Sequence, residues 1–128
     1  MTAAELGKLG EKIAERYLKK HGYKILERNK HQSHNEIDLI VSDRTYIVFV
    51  EVKTRSASMA NDLYLPYGSP ASAVDRKKQL RTIRAAQDYL RIHESQGKQP
   101  RMDVVEVYID KYTEKLLKIN HISDAFGA

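Results

Sequence analysis

Cysteine is absent from the 128 residues, which excludes disulfides and thiolate-held zinc and suits a reducing, intracellular setting. Proline is scarce, and two of the three prolines, Pro66 and Pro70, fall within one stretch. No apolar run approaches membrane-spanning length, and the N-terminus carries no signal-peptide pattern, so no membrane is involved and the expected location is cytoplasmic. Repeats, low-complexity tracts, a glycine-rich phosphate loop and a Ser/His/Asp constellation are all missing. The remaining composition, 41% hydrophobic and 8% aromatic, is that of an ordinary soluble fold. The length allows one domain, residues 1–128, with one core. Lysine and arginine outnumber the acids 22 to 17. That balance suits a polyanion partner, although many basic proteins bind no nucleic acid.

The most informative stretch runs from Glu36 to Lys53. It predicts two strands, Glu36–Val41 and Tyr46–Lys53, around the polar turn Ser42-Asp43-Arg44-Thr45. Glu36, Asp38, Glu51 and Lys53 interrupt runs that are otherwise almost wholly apolar. Two registers, Val41 opposite Tyr46 or Ser42 opposite Ile47, put Glu36 and Asp38 on one sheet face with Phe49, Glu51 and Lys53. The other face is then the uncharged set Ile37, Leu39 and Val41 against Tyr46, Val48, Val50 and Val52. A three-residue loop would drive Glu51 and Lys53 into that apolar face, at several kcal/mol per unpaired ion, and is rejected.

Three carboxylates held together repel, and Lys53 alone cannot neutralise them. Hard oxygen ligands on a sheet suit Mg²⁺ or Mn²⁺, and a lysine beside such an ion can orient a water or steady a phosphate oxygen. Spacing alone favours a plain cross-strand salt-bridge ladder. The apolar company of Phe49, Val50 and Val52 counts against it.

Asp38, twelve intervening residues and then Glu51-Val52-Lys53 resemble the D…(D/E)-x-K signature of restriction-endonuclease-like nucleases. The chain as a whole resembles the YraN-like family of small uncharacterised bacterial proteins assigned to that fold, itself similar to archaeal Holliday junction resolvases. The matching residues are Gly7, Gly10-Glu11, Ala14, Asn29, Glu36-Ile37-Asp38-Leu39-Ile40 and Phe49-Val50-Glu51-Val52-Lys53-Thr54-Arg55. Gly68, Val74, Lys78-Gln79, Ala86, Arg101 and Asp103 follow. Asn35 stands where the family usually has Gly, and Tyr67 where Phe is typical. Neither is a proposed ligand. The resemblance implies a three-layer α/β restriction-endonuclease-like fold, a mixed central sheet flanked by helices. It also implies that a first-helix glutamate, Glu11, completes a metal site, and that Lys78 and Gln79 lie near the catalytic centre.

Around this centre, Leu6, Leu9, Ile13, Tyr17 and Leu18 predict a helix from Ala3 to His21, stopped by Gly22. Without the resemblance, Glu11 reads as a surface residue paired with a lysine. Gly7 and Gly10 cost such a helix about 1 kcal/mol each, which a close approach by the sheet or a phosphate would justify. Tyr23 to Arg28 reads as a short strand, and Asn29 to Asn35, with His31 and His34, as a solvated loop. Thr54 to Pro70 reads as a long loop, where Tyr64 and Tyr67 either stack on bases or pin the loop. Arg55 at its root could hold a phosphate. A second helix is expected from Ala71 to Glu94, with Val74, Leu80 or Ile83, Ala86, Leu90 and Ile92 inward. Its Arg76, Lys77, Lys78, Arg81 and Arg84 form either a solvated basic face or a phosphate-backbone contact. Arg101–Ile109 and Leu116–Ile122 predict two more strands, with Asp103 bracing against Arg101 or a helix arginine.

The leading expectation is a Mg²⁺- or Mn²⁺-dependent endonuclease that cleaves phosphodiester bonds in DNA, favoured over RNA and with branched DNA foremost. Asp38 and Glu51 would hold the metal, Glu11 and Glu36 would assist, and Lys53 would serve the attacking water. Arg55, Arg76, Lys77, Lys78, Gln79 and Arg81 would touch nucleic acid. Symmetric junction cleavage would require a homodimer, which no sequence feature specifies. Two other readings compete: a non-catalytic nucleic-acid-binding module on the same fold, and a structural role in which the charges form only a ladder.

Overall fold

In a computed structural model of the chain, residues 1–57 and 74–127 are described. Helix α1 (Ala3–Lys20) precedes strands β1 (Lys24–Gln32), β2 (Asn35–Ser42) and β3 (Tyr46–Ala57); helix α2 (Arg76–Ile92) then leads to β4 (Gln99–Asp110) and β5 (Leu116–Phe126). The strands form one sheet in chain order, antiparallel except for the parallel pair β3–β4. A parallel neighbour needs a long crossover, and α2 lies within it. Leu39, Val41, Val48, Val50, Val105 and Val107 pack with α1 on one face, whereas Ile40, Phe49, Met102 and Val104 pack with α2 on the other. A mixed sheet between two helical layers is the three-layer α/β architecture expected from the sequence. No helix among the described residues is long and apolar enough to cross a membrane.

The central hairpin takes the Ser42–Ile47 register, one of the two that keep the charges out of the apolar face. Asp43 stabilises its turn by accepting from the Thr45 and Tyr46 amides at 2.8 and 2.7 Å. One part of the expected facing is corrected. Ile37 joins the core under α2 instead of Leu39 and Val41 under α1. Its alternation resets at Asp38, which faces Asn29 of β1 between the pairs Arg28–Leu39 and Lys30–Ile37. Asn29 has a left-handed backbone (φ 49°) inside the strand, a conformation that twists the β1–β2 ribbon locally.

Several boundaries also differ from expectation. β1 runs on through the expected Asn29–Asn35 loop to a two-residue turn at Ser33 and His34, both at positive φ, as a hairpin of that length demands. No Asn-Gly pair announces it. β3 continues through Ala57 because its parallel pairing with β4 persists there, so Thr54 to Ala57 are strand and not loop. β5 likewise continues to Phe126. On α2, Ile83 and not Leu80 faces inward, and Ile92 is exposed. Tyr64, Tyr67 and the expected helix start at Ala71 lie outside the described residues.

Thr2 caps α1 through a reciprocal pair of bonds with Glu5, and Gly22 (φ 90°) closes its far end. The closing bonds run from Gly22 N–H to Lys19 O and from Tyr23 N–H to Leu18 O. The line that presses deepest on the sheet is Gly10, Ala14 and Leu18, with the larger apolar residues only partly buried on its flanks. Small residues at the centre let the helix come close. At Gly10 the backbone meets β3, and an added Cβ would fall 2.8 Å from Cβ of Thr54 and nearer still to its hydroxyl. At Gly7 a Cβ would meet nothing within 4 Å.

At the other end of α1 a buried polar network ties the helix to the sheet. Asp103, with no exposed surface, takes two bonds from Arg101 at 2.8 Å each. It also accepts from Nε2 of His121 at 2.7 Å and from the Asp124 amide at 2.9 Å. Because a carboxylate only accepts, Nε2 carries the proton, and Nδ1 of a neutral ring accepts from the Tyr17 hydroxyl at 3.1 Å. Arg101 also donates to the Tyr23 hydroxyl at 2.6 Å. The expected bracing role of Asp103 is therefore met by Arg101, with His121 and α1 drawn in.

Gly10→Ala is expected to lower unfolding stability by about 1–2 kcal/mol net, as overpacking outweighs the gain in helix propensity. Gly7→Ala should raise it by up to about 1 kcal/mol; urea unfolding of both variants measures the contrast. Asp103 is a second test. Its neighbours, His121 and Arg101 first, hold its carboxyl below the ordinary range despite burial. A depressed folded value gives stability that is present above the unfolded value of about 4 and is lost as pH falls through the folded one. The stability gap between wild type and Asp103→Asn should thus be full above about pH 5 and narrow below about pH 4.

Candidate functional site

The ladder between β2 and β3 ends at Leu39–Val50. Beyond that pair β2 stays with β1 as far as Asn35, and β3 stays with β4 as far as Ala57, so the two strands part. Asp38 and Glu51 come directly after the last pair. The Val52 N–H, which has lost its strand partner, donates instead to Oδ2 of Asp38 at 2.8 Å. A side chain thus satisfies a backbone donor that would otherwise be costly to leave unpaired.

Four carboxylates meet around this opening. Asp38 is pushed up to about 7, first by burial and then by Glu51, with Glu11 and Glu36 adding to the effect. Burial and Glu36 also raise Glu11. Glu11 arrives from α1, one residue beyond the glycine that lets the helix approach. Asn29 lies between two of the acids. With its amide turned to satisfy them, its NH₂ group reaches Oε1 of Glu11 and of Glu36 at 3.1 Å each. Lys53 joins the group, its Nζ 3.6 Å from Oε1 of Glu51. The predicted residues Asp38, Glu51, Glu11, Glu36 and Lys53 are therefore brought together.

Hard oxygen donors of this kind are the ligand type that a divalent cation takes. The acids of the group raise one another, Glu51 acting on Asp38 and Glu36 on Glu11, and a cation among them would relieve that repulsion. Among the described residues no group of three or more His, Cys, Asp or Glu side chains is placed to hold a metal ion. Mg²⁺ and Mn²⁺ do not ask for such a group, since one or two carboxylates and several waters suffice.

The expected nucleic-acid contacts divide. Lys78 reaches the site's edge, donating to Oδ1 of Asn35 at 2.7 Å, next to Glu36. Lys77 and Arg81 project from α2 into solvent. Gln79 does not fit the expectation, being 8% exposed with its amide donated to the Val74 carbonyl at 2.8 Å. Arg76 is exposed but donates to Gln79 and to the Gly127 carbonyl, lacing α2 to the end of the chain. Arg55 pairs with Glu106 at 3.4 Å.

Glu106 was not anticipated from the sequence. It is buried on β4, in register with Lys53, and accepts from Asn120 at 2.9 Å. A lone carboxylate inside Val104-Val105-Glu106-Val107 was the available signal. Asn29 was visible only as a matching residue, because nothing local assigns it a left-handed backbone. Beside Glu11 and Asn29, an open cleft of about 270 Å³ runs between α1 and β1.

Fold and site together define a three-layer α/β domain whose sheet parts at one end around a cluster of acids. The chain belongs to the uncharacterised protein family UPF0102, whose family model matches residues 10–107. That span includes every residue of the acidic cluster. A UPF0102 protein of Caldanaerobacter subterraneus subsp. tengcongensis is 45% identical over 94% of this chain and 93% of its own. One from Chloroherpeton thalassium is 42% identical over 98% of this chain and 95% of its own. One from Caldicellulosiruptor bescii is also 42% identical, over 98% of this chain and all of its own. Among solved structures, the chain is similar to SfsA of Pyrococcus furiosus in complex with Ca²⁺, at 14% identity and a TM-score of 0.35. The match covers 94% of this chain and 63% of that one, a likeness too low to bear on the fold or the site.

The raised value at Asp38 makes a stability prediction. Its folded value lies above the unfolded one, so ionising it costs stability that the unfolded chain does not lose. With a chelator present, Asp38→Asn should melt roughly 3–8 °C above wild type at pH 8, and the gain should shrink toward pH 5. A gain independent of pH would mean that burial and neighbouring acids do not hold this carboxyl.

Proposed function

We propose that the protein is a Mg²⁺- or Mn²⁺-dependent nuclease that hydrolyses phosphodiester bonds in DNA. The observation that carries this reading is the gathering of four carboxylates from α1, β2 and β3, with Lys53 beside Glu51, where the sheet opens. A salt-bridge ladder would pair its charges, whereas this group is left with an excess of negative charge. A pure phosphate binder gains nothing from acids at the contact.

Asp38 and Glu51 would hold the ion, with Glu11 and Glu36 at its margin. When bound, Mg²⁺ or Mn²⁺ supplies a positive charge for the developing phosphate oxygens and acidifies water. Asp38 is kept in place by the Val52 amide, so its carboxylate needs little reorganisation. Lys53, one third exposed, can turn its ammonium from Glu51 toward a phosphate oxygen or an attacking water. Asn29 keeps Glu11 and Glu36 from turning away from the opening. Lys78, fixed on Asn35, places a positive charge on the α2 side, where a substrate backbone would pass.

The test is cleavage of linear, flapped and four-way-junction DNA, with matched RNA, in Mg²⁺ or Mn²⁺. Wild type should cut at least one DNA, with branched forms preferred, and Asp38→Asn and Lys53→Ala should each lose about 10²-fold or more. Binding of DNA without cleavage, equal in all three proteins, would favour a non-catalytic binding module.

A further inference from the structure

We propose that the cleft between α1 and β1 is the track of one phosphodiester strand, with Lys8 and Lys12 as its phosphate contacts. This rests on the reading of nucleic acid as the substrate and adds a binding site that the α2 cations do not supply. The cleft, about 270 Å³, is lined by the cations Lys8, Lys12 and Arg28, the acids Glu11 and Glu15, and Asn29 and Leu39. Its inner end is therefore the acidic cluster itself, reached through Glu11 and Asn29.

The walls suit a sugar-phosphate chain. Leu39 and the aliphatic stems of the long basic side chains supply apolar surface for sugars, and the charged heads remain at the rim. Lys8 and Lys12 are four residues apart on α1 and so project from one face, about 6 Å apart along the axis. That step is comparable with the spacing of neighbouring phosphates on an extended strand. Both lysines are exposed and have no hydrogen bond or ion pair among the described residues, although the charge of Lys8 acts on Glu11. On β1, Arg28 is held at the rim by Glu15. Several cations across the molecule are otherwise engaged: Arg84 and Arg91 with Asp88, Arg55 with Glu106, and Arg76 with Gln79 and Gly127.

The experiment is fluorescence anisotropy of labelled single-stranded and four-way-junction DNA in chelator, where binding is read without cleavage. The double variant Lys8→Glu/Lys12→Glu is compared with Lys24→Glu/Arg44→Glu, which changes net charge equally at the other end of the sheet. The cleft variant should bind at least about tenfold more weakly, and its salt slope should fall by about 1.5, the loss of two phosphate contacts. The control should stay within about threefold of wild type.

Equal losses in the two variants would reduce the effect to net charge and overturn the proposal, as would unchanged binding by the cleft variant. Tighter binding of a polyglutamate probe than of DNA, dependent on the same lysines, would overturn it in favour of an acidic peptide. Wild type that binds no nucleic acid overturns both this proposal and the nuclease reading. Binding that depends on Lys8 and Lys12, with no cleavage in any metal, leaves the track standing and removes only the nuclease reading.

Discussion

The Val52 N–H donated to Asp38 is the bond on which the candidate site depends. Had β2 and β3 stayed paired, Asp38 and Glu51 would face each other across the ladder, like charges in direct opposition. Parting the strands separates them, but it also strips a backbone donor of its carbonyl. Asp38 fills that vacancy with its own side chain, so the opening leaves no orphaned amide. The cost falls on Asp38 itself, a carboxyl drawn partly out of water among other acids and pushed up to about 7. Local instability of this kind is typical of sites built to receive a charge.

Two contacts along α1, one at its middle and one in its last turn, set where Glu11 can be. At mid-helix, Gly10 admits the helix backbone against Thr54, on the strand that carries Glu51 and Lys53. At the far end, Tyr17 meets His121, which is held in turn by the buried Asp103 and Arg101. A helix held at two points has little freedom to slide or roll, and the side chain after Gly10 is delivered to the opening. The α2 layer acts on the other side through Asn35, which accepts from Lys78 and donates to Thr82. Acids from three separate elements therefore converge, Glu11 from a helix about 25 residues before the first strand acid.

Much of the fold was legible in the sequence. The helical spacing of Leu6, Leu9 and Ile13, the alternation of Val105, Val107 and Ile109, and the polar turn after Val41 each reflect a repeat that one element imposes on its own residues. The core of the site was legible for the same reason, since charges in an apolar strand must point somewhere. Errors appeared where one element answers to another. Ser33-His34 forms a tight turn because the strands on either side pair, not because its residues demand it. Thr54 to Ala57 are strand because β4 lies alongside. Gln79 carries a polar side chain, yet the packing of α2 encloses it.

By itself the sequence determined the succession of elements, the facing that keeps Glu51 and Lys53 off the apolar face, and the strand acids Glu36, Asp38 and Glu51 at the sheet's end. Those follow from periods of two and 3.6 residues and from the cost of burying charge, all of which act over a few neighbours. Only the tertiary structure decided that β2 and β3 part after Leu39, that Ile37 turns to the opposite core, and that Asn29 lies between Glu11 and Glu36. Each of these depends on a backbone or side-chain partner supplied by a different element, and no local pattern encodes which partner that will be.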